Sequence, residues 1–333
     1  MTPTSSRTKT KSRVRKTASA NSRAKQSATA NAAANGGAKW NLRKSDGISI
    51  LEASALTKQK WLIHGFSTRP GGASLLETLH SSPKRADKVL NLGFSDWDER
   101  ARVEENRRHF LKSLRAERMQ LVRLRQFHSD LIHVVDNIPA EPLRGDALIT
   151  QTPNLLLAVQ TADCVPILLA DPERRVVAAI HAGWRGTLKR IAEKTVGRMR
   201  MVFGVRAENI IAALGPGIGR CCFEVGPEVV KEFTSQFPAA RDWFDGPVDA
   251  LASDEDPNPL PWLTMMPPGH PSPPARALLD LHAANRAILE GAGVRAKNIF
   301  ATNFCTSCRT DLFFSYRREK VTGRQMAAIG IRG

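Results

Sequence analysis

Acidic residues are missing from one end of this chain. The first 40 of its 333 residues hold nine Lys and Arg but no Asp or Glu, and the whole chain carries a formal net charge of +17. That stretch also lacks sizeable aliphatics, with only Met1 and Val14 before Trp40. It cannot bury enough apolar surface to fold alone and is expected to be disordered. Order is expected from near Trp40, with the basic tail assigned to residues 1–45 and the folded body to 46–333. Such a tail can contact nucleic acid or acidic surfaces without specificity, although a solvated extension is the plainer reading. No apolar run approaches the ~20 residues of a membrane helix, so no membrane span is expected. No apolar stretch follows the basic start either, so no secretory signal is expected. Five cysteines leave at least one unpaired. With no sign of export they point to free thiols in a reducing cytoplasm.

What is present reads as a globular protein, 42% apolar with ordinary charge content. Trp61–Phe66, Asp146–Thr150, Val176–Ile180, Ile210–Leu214, Asn298–Thr302, Phe313–Tyr316 and Met326–Ile331 read as strands. Leu121–Val135 reads as a strand or hairpin. Leu155–Ala170 is apolar but broken by Pro166, so it is expected to be two strands meeting at Cys164. Asp98–Leu114, Thr187–Val202, Pro227–Phe237 and Leu279–Glu290 carry helical spacing. Pro70-Gly71-Gly72 marks a loop from Ser67 to Ser74. Residues 246–274 hold nine of the twenty prolines, the composition of a surface loop insertion. No linker separates two self-sufficient halves. The expectation is a single domain of mixed α/β (α+β) class, with mixed β-sheets flanked by helices.

Three residues carry the chemistry. His128, Cys164 and His181 each stand where an apolar run gives way to small or polar residues. Two imidazoles and a thiolate are a donor set for a catalytic zinc, which keeps three protein ligands and an open position. Their separations of 36 and 17 residues are not those of a zinc finger. Two other readings of the same atoms stay open. One is a buried core. The other is a hydrolase with Cys164 as nucleophile and His181 as base. A second group suits anions: Arg69, Arg185 before a helix, and the glycine loop Gly215-Pro-Gly-Ile-Gly219, centred on Gly217, whose amides could face a phosphate. Asp163, beside Cys164, is a candidate for proton handling, or else a hydrogen-bonding residue that orients its loop. Cys305 and Cys308 have C-x-x-C spacing, but no second such pair exists, so ordinary free thiols are expected for them and for Cys221 and Cys222.

In order along the chain stand Phe66-Ser-Thr-Arg-Pro-Gly-Gly72, Gln126-Phe-His-Ser129, Asp146-Ala-Leu-Ile-Thr150, Thr161-Ala-Asp-Cys-Val-Pro166, His181-Ala-Gly-Trp-Arg-Gly186 and Gly215-Pro-Gly-Ile-Gly219. Phe223-Glu-Val-Gly226, Cys305-Thr306, Phe313-Phe-Ser-Tyr-Arg-Arg318 and Thr322-Gly-Arg324 follow. Over residues 60–333 this set resembles the YfiH family, also called the laccase-domain or multicopper polyphenol oxidoreductase family. The resemblance implies a YfiH-like fold and a zinc enzyme acting on purine nucleosides. The implied reactions are phosphorolysis of adenosine, inosine and methylthioadenosine by orthophosphate, and deamination of adenosine. It implies one Zn2+ held by His128, Cys164 and His181, with Arg69 on phosphate or substrate. Copper-dependent polyphenol oxidation is the runner-up. Blue and trinuclear copper centres need about ten histidines, largely as His-x-His pairs. This chain has eight histidines and no such pair.

Overall fold

The computed structural model describes residues 39–76, 87–252 and 276–333. The basic tail up to residue 38 and most of the proline-rich segment lie outside the described residues. The first strands are β1 (Trp40–Ser45), β2 (Ile48–Ala53), β3 (Leu62–Ser67), β4 (Pro70–Leu76) and β5 (Asp87–Val89). Then come β6 (Gln120–Arg125), β7 (Ile132–Val134), β8 (Leu143–Arg144), β9 (Ala147–Thr150) and β10 (Leu155–Thr161). The chain continues through β11 (Val165–Asp171), β12 (Val176–Ala182), β13 (Ile211–Leu214) and β14 (Glu224–Val225). It ends with β15 (Phe244–Asp245), β16 (Ala277–Leu279), β17 (Ile299–Ala301) and β18 (Gln325–Ile331). The helices are α1 (Ser54–Thr57), α2 (Arg100–Leu114), α3 (Trp184–Leu188) and α4 (Ile191–Phe203), followed by α5 (Pro227–Gln236), α6 (Val248–Ala252), α7 (Leu281–Gly291) and α8 (Tyr316–Glu319).

Two mixed sheets form the centre. One has the order β1-β2-β3-β18-β10-β6-β8, the other β17-β13-β11-β12-β9-β7. Strands β10, β11 and β12 are apolar almost throughout because both of their faces are covered. Leu155, Leu157 and Val159 of the first sheet meet Leu168, Ala170, Val177 and Ala179 of the second in one buried cluster. The alternate residues Leu156 and Ala158 turn the other way, onto Phe110 and Leu114 of α2. Val165, Ile167, Leu169 and Ile180 pack with residues of α4, α5 and α7. The result is four layers: helix, sheet, sheet, helices. Each buried Leu or Val at these faces contributes roughly 1.5–3 kcal/mol.

The period-2 and period-3.6 expectations hold for most elements, and the departures have local causes. The body starts before residue 46. Trp40–Ser45 pairs with Ile48–Ala53 through a turn in which Asp46 and Gly47 both take positive φ, the Asp-Gly chemistry of a two-residue hairpin. Leu121–Val135 is not a hairpin, since β6 joins the first sheet and β7 the second. Pro70–Leu76 is a bulged strand rather than a loop, with Gly71 and Gly72 supplying the left-handed backbone of the irregularity. The single helix expected over 187–202 is two. Arg190 breaks it at φ 59, held there by a hydrogen bond to the Gln236 carbonyl and by stacking 4.5 Å over the Phe237 ring. Phe313–Tyr316 is not a strand. Ser315 accepts a hydrogen bond from the Arg318 amide and starts α8 as its N-cap.

Candidate metal centre

The site forms where the chain passes between the two sheets. His128 lies on the link from β6 to β7, and Cys164 on the link from β10 to β11. His181 is the penultimate residue of β12, opposite Pro166 of β11. The three donor atoms all lie within 4.8 Å of one another. Cys164 Sγ is 3.8 Å from His128 Nε2, and the two imidazole centroids are 5.0 Å apart. His128 is exposed, Cys164 half-buried and His181 buried, so the cluster opens on the His128 side. The backbone is bent to achieve this: His128 and Asp163 take φ 62 and φ 95, left-handed values that cost energy in a non-glycine residue and mark functional sites.

Asp146 holds the arrangement together. Its fully buried carboxylate accepts from His181 Nδ1 at 2.8 Å, from the His128 amide at 3.1 Å, and from the Ser129 amide and hydroxyl at 2.6 and 2.5 Å. Burial opposes its charge, but the hydrogen bonds from His181 and Ser129 prevail and bring its pKa to about 2. With Nδ1 committed to Asp146, Nε2 of His181 is left as the donor, the carboxylate–histidine arrangement that orients metal ligands. Burial acts against charge on His181 and Cys164 too. It is overcome by their mutual attraction, with the imidazole pKa raised and the thiol pKa lowered. The pair therefore favours a thiolate, and the imidazolium would have to lose its proton before it could bind a cation. A carbon added at Gly183 would stand 2.8 Å from Cys164 Sγ and 3.0 Å from a His128 ring carbon. Any larger residue would push on both side chains.

These donors open into a cavity of about 720 Å³. Asp163 lines it, but both of its carboxylate oxygens are engaged, by Thr306 Oγ1 at 2.7 Å and the Arg317 amide at 2.6 Å. The anion group from the sequence is dispersed. Arg69 belongs to a neighbouring cavity, where its Nη1 meets Glu319 at 2.6 Å and the Thr310 carbonyl at 2.9 Å. Arg185 is exposed and stacks 4.2 Å over Trp184. Gly217 is buried, with Val165 2.9 Å from the position of an added carbon. The amides of Gly215, Ile218 and Gly219 bond to Pro166, Asp163 and Cys305 within the protein, so these three amides do not face an anion.

The cations that line the cavity are Arg125, Arg317, Lys320 and Arg324, none of which forms an ion pair with a carboxylate among the described residues. Sequence reasoning quoted Arg317 and Arg324 inside motifs but did not single them out. Asp146 likewise stood in the sequence only as the first residue of a strand and of a motif. Trp184, Phe223 and Tyr316 add aromatic surface to the wall. Elsewhere, Cys221 and Cys222 stand beside Cys305 and Cys308 in a second cluster.

A family model described as multi-copper polyphenol oxidoreductase laccase matches residues 63–332. A purine nucleoside phosphorylase of Deinococcus radiodurans is 38% identical over 86% of this chain and 94% of its own length. An adenosine deaminase from an unknown prokaryotic organism is 36% identical over 70% of this chain and 83% of its own length. Among solved structures, the hypothetical protein YfiH of Bacillus licheniformis superposes with a TM-score of 0.70 at 29% identity, covering 89% of this chain and all of its own.

Proposed function

The chain belongs to the multi-copper polyphenol oxidoreductase laccase family, and from that premise we propose that it is a zinc-dependent purine nucleoside phosphorylase with adenosine deaminase activity. Its substrates in this reading are orthophosphate with adenosine, inosine or S-methyl-5′-thioadenosine. One observation carries the reading: two imidazoles and a thiolate converge in a cavity whose remaining wall presents unpaired cations and aromatic rings. Relatives named for purine nucleoside phosphorylase and adenosine deaminase support the same class.

The donor set fits zinc. It is mixed imidazole and thiolate, three in number, open on one side, and backed by Asp146. A copper oxidase relay has less support, because neither candidate metal cluster among the described residues contains more than two histidines. When bound, zinc would supply Lewis acidity and a lowered water pKa at the open position. The remaining work falls to the chain. Arg317, Lys320 and Arg324 bind the phosphate and orient it towards the ribose. As the C1′–O bond forms and the C1′–N9 bond breaks, negative charge grows on the departing purine, and the same positive wall stabilises it. Phe223 and Tyr316 offer apolar faces to the base. Asp163 acts as a positioning residue, holding the Cys164 turn to Thr306 and Arg317. Arg69 acts through Glu319, which ends the helix that carries Arg317.

The test is metal analysis and turnover on wild type beside His181→Ala. Wild type should hold zinc at this site, release adenine or hypoxanthine only when phosphate is present, and release ammonia from adenosine. His181→Ala should lose all three properties. Zinc-loaded wild type that releases neither base nor ammonia would sink the proposal. Activity that survives a chelator and dies on alkylation of Cys164 would favour the hydrolase instead.

A further inference from the structure

The four remaining cysteines form a group of their own, far apart in sequence and drawn together by the fold. Cys221 and Cys222 follow the glycine loop after β13, and Cys305 and Cys308 sit in the turn after β17. Gly217 and Cys305 form a bridge between the two segments, and the Thr306 amide donates to the Gly217 carbonyl at 3.0 Å. Cys308 Sγ is 3.5 Å from Cys221 Sγ and 3.4 Å from Cys222 Sγ. All four sulfurs lie within 4.8 Å of one another. The Gly219 amide donates to Cys305 Sγ at 3.2 Å, a bond that strengthens as the sulfur becomes a thiolate.

We propose that Cys221, Cys222, Cys305 and Cys308 form a second metal site, a closed four-thiolate site for zinc. Zinc–sulfur bonds of about 2.3 Å in a tetrahedron place the sulfurs about 3.8 Å apart, within the spread seen here. A multi-iron cluster, which also uses four thiolates, spaces them more widely around its irons. The group contains no imidazole or carboxylate and leaves no protein ligand position vacant, so it has the character of a structural site rather than a catalytic one. Its place in the fold gives it a task. It would clasp the glycine loop to the turn containing Thr306, whose hydroxyl holds Asp163 next to Cys164. The inference does not depend on the purine reading, because it concerns different residues.

The experiment is zinc counting and cobalt spectroscopy on full-length protein purified anaerobically under reducing conditions. Cys164→Ser removes the thiolate of the first centre and should retain one equivalent of zinc. Exchange of that zinc for Co2+ should produce the intense tetrahedral d–d absorption and thiolate charge-transfer bands of a four-sulfur site. Adding Cys308→Ser, a change at an exposed position, should abolish the retained equivalent and weaken those bands. Should that double variant fail to fold, the cobalt spectrum of Cys164→Ser decides alone. The proposal is overturned if Cys164→Ser holds no metal and gives no thiolate bands. It is equally overturned if mass spectrometry of the anaerobic protein finds Cys308 bonded to Cys221 or Cys222.

Discussion

At the scale of single residues, two positions outside the donor set, Asp146 and Gly183, decide whether the three donors can act together. Asp146 orients His181 and pins the His128 turn. Asp146→Asn keeps the volume but removes the charge, and loss of such a partner typically costs 10–100-fold in metal affinity. Zinc competition titrations on the two proteins should show a shift of that order; unchanged affinity would mean that Asp146 serves folding alone. Gly183 works by absence. Gly183→Ala drives a methyl into Cys164 and His128, an overpacking that costs about 1–3 kcal/mol. Zinc content and turnover should fall together in this variant, while far-UV circular dichroism stays native. If zinc content is unaffected, the glycine is not what lets these donor side chains approach.

Elements explain why Arg69, the sequence's first choice for phosphate, stands outside the cavity. It follows β3, whereas Arg317, Lys320 and Arg324 of the cavity lie on and after α8, and Glu319 of α8 is the link between them. The pair is nearly buried, with side-chain exposures of 6% and 14%. Breaking it from one side strands a charge, which costs about 3–5 kcal/mol at a fully buried site and less here. Arg69→Met should therefore lower the melting temperature and loosen α8, reducing kcat more than it raises KM for phosphate. Adding Glu319→Gln should restore part of both. A selective rise in phosphate KM that the second substitution does not relieve would identify Arg69 as a direct phosphate ligand. The same helix shows how an element can defeat a pattern. Phe313-Phe-Ser-Tyr has the aromatic richness of a strand, but Ser315 is an N-cap and the two phenylalanines are buried in different clusters.

For the molecule as a whole, stability should fall in acid because of His64. It lies in β3, 5% exposed, with Nε2 accepting the Ala53 amide at 3.0 Å. Burial pushes its pKa down from 6.5 to about 3. The folded protein therefore keeps the imidazole neutral while the unfolded chain takes up a proton below pH 6.5. The contribution is complete above that value and is lost as pH falls towards 3, at about 1.4 kcal/mol per pH unit. Urea midpoints measured from pH 7 to pH 5 should fall more steeply in wild type than in His64→Gln, with a difference of about 2 kcal/mol over that range. Parallel curves would show that His64 does not set the slope.

The chain by itself determined where the core strands run and singled out the three residues that the fold brings together as candidate donors. Runs such as Leu155–Val159 and Val176–Ile180 stay apolar on both alternating faces, and that burial is a local property written into local sequence. His128, Cys164 and His181 were legible because small or polar residues flank each of them where a core strand would continue apolar. Only the tertiary structure decided which sheet each strand joins and which distant side chains meet. Four cysteines that read as ordinary thiols became a cluster. Asp146, just before β9, became the support of His128 and His181, while three amides of the glycine loop were spent internally. The reason is physical: periodicity reports how much a segment is covered, whereas a site depends on directed contacts across many residues of chain. Their geometry exists only once the two sheets have packed.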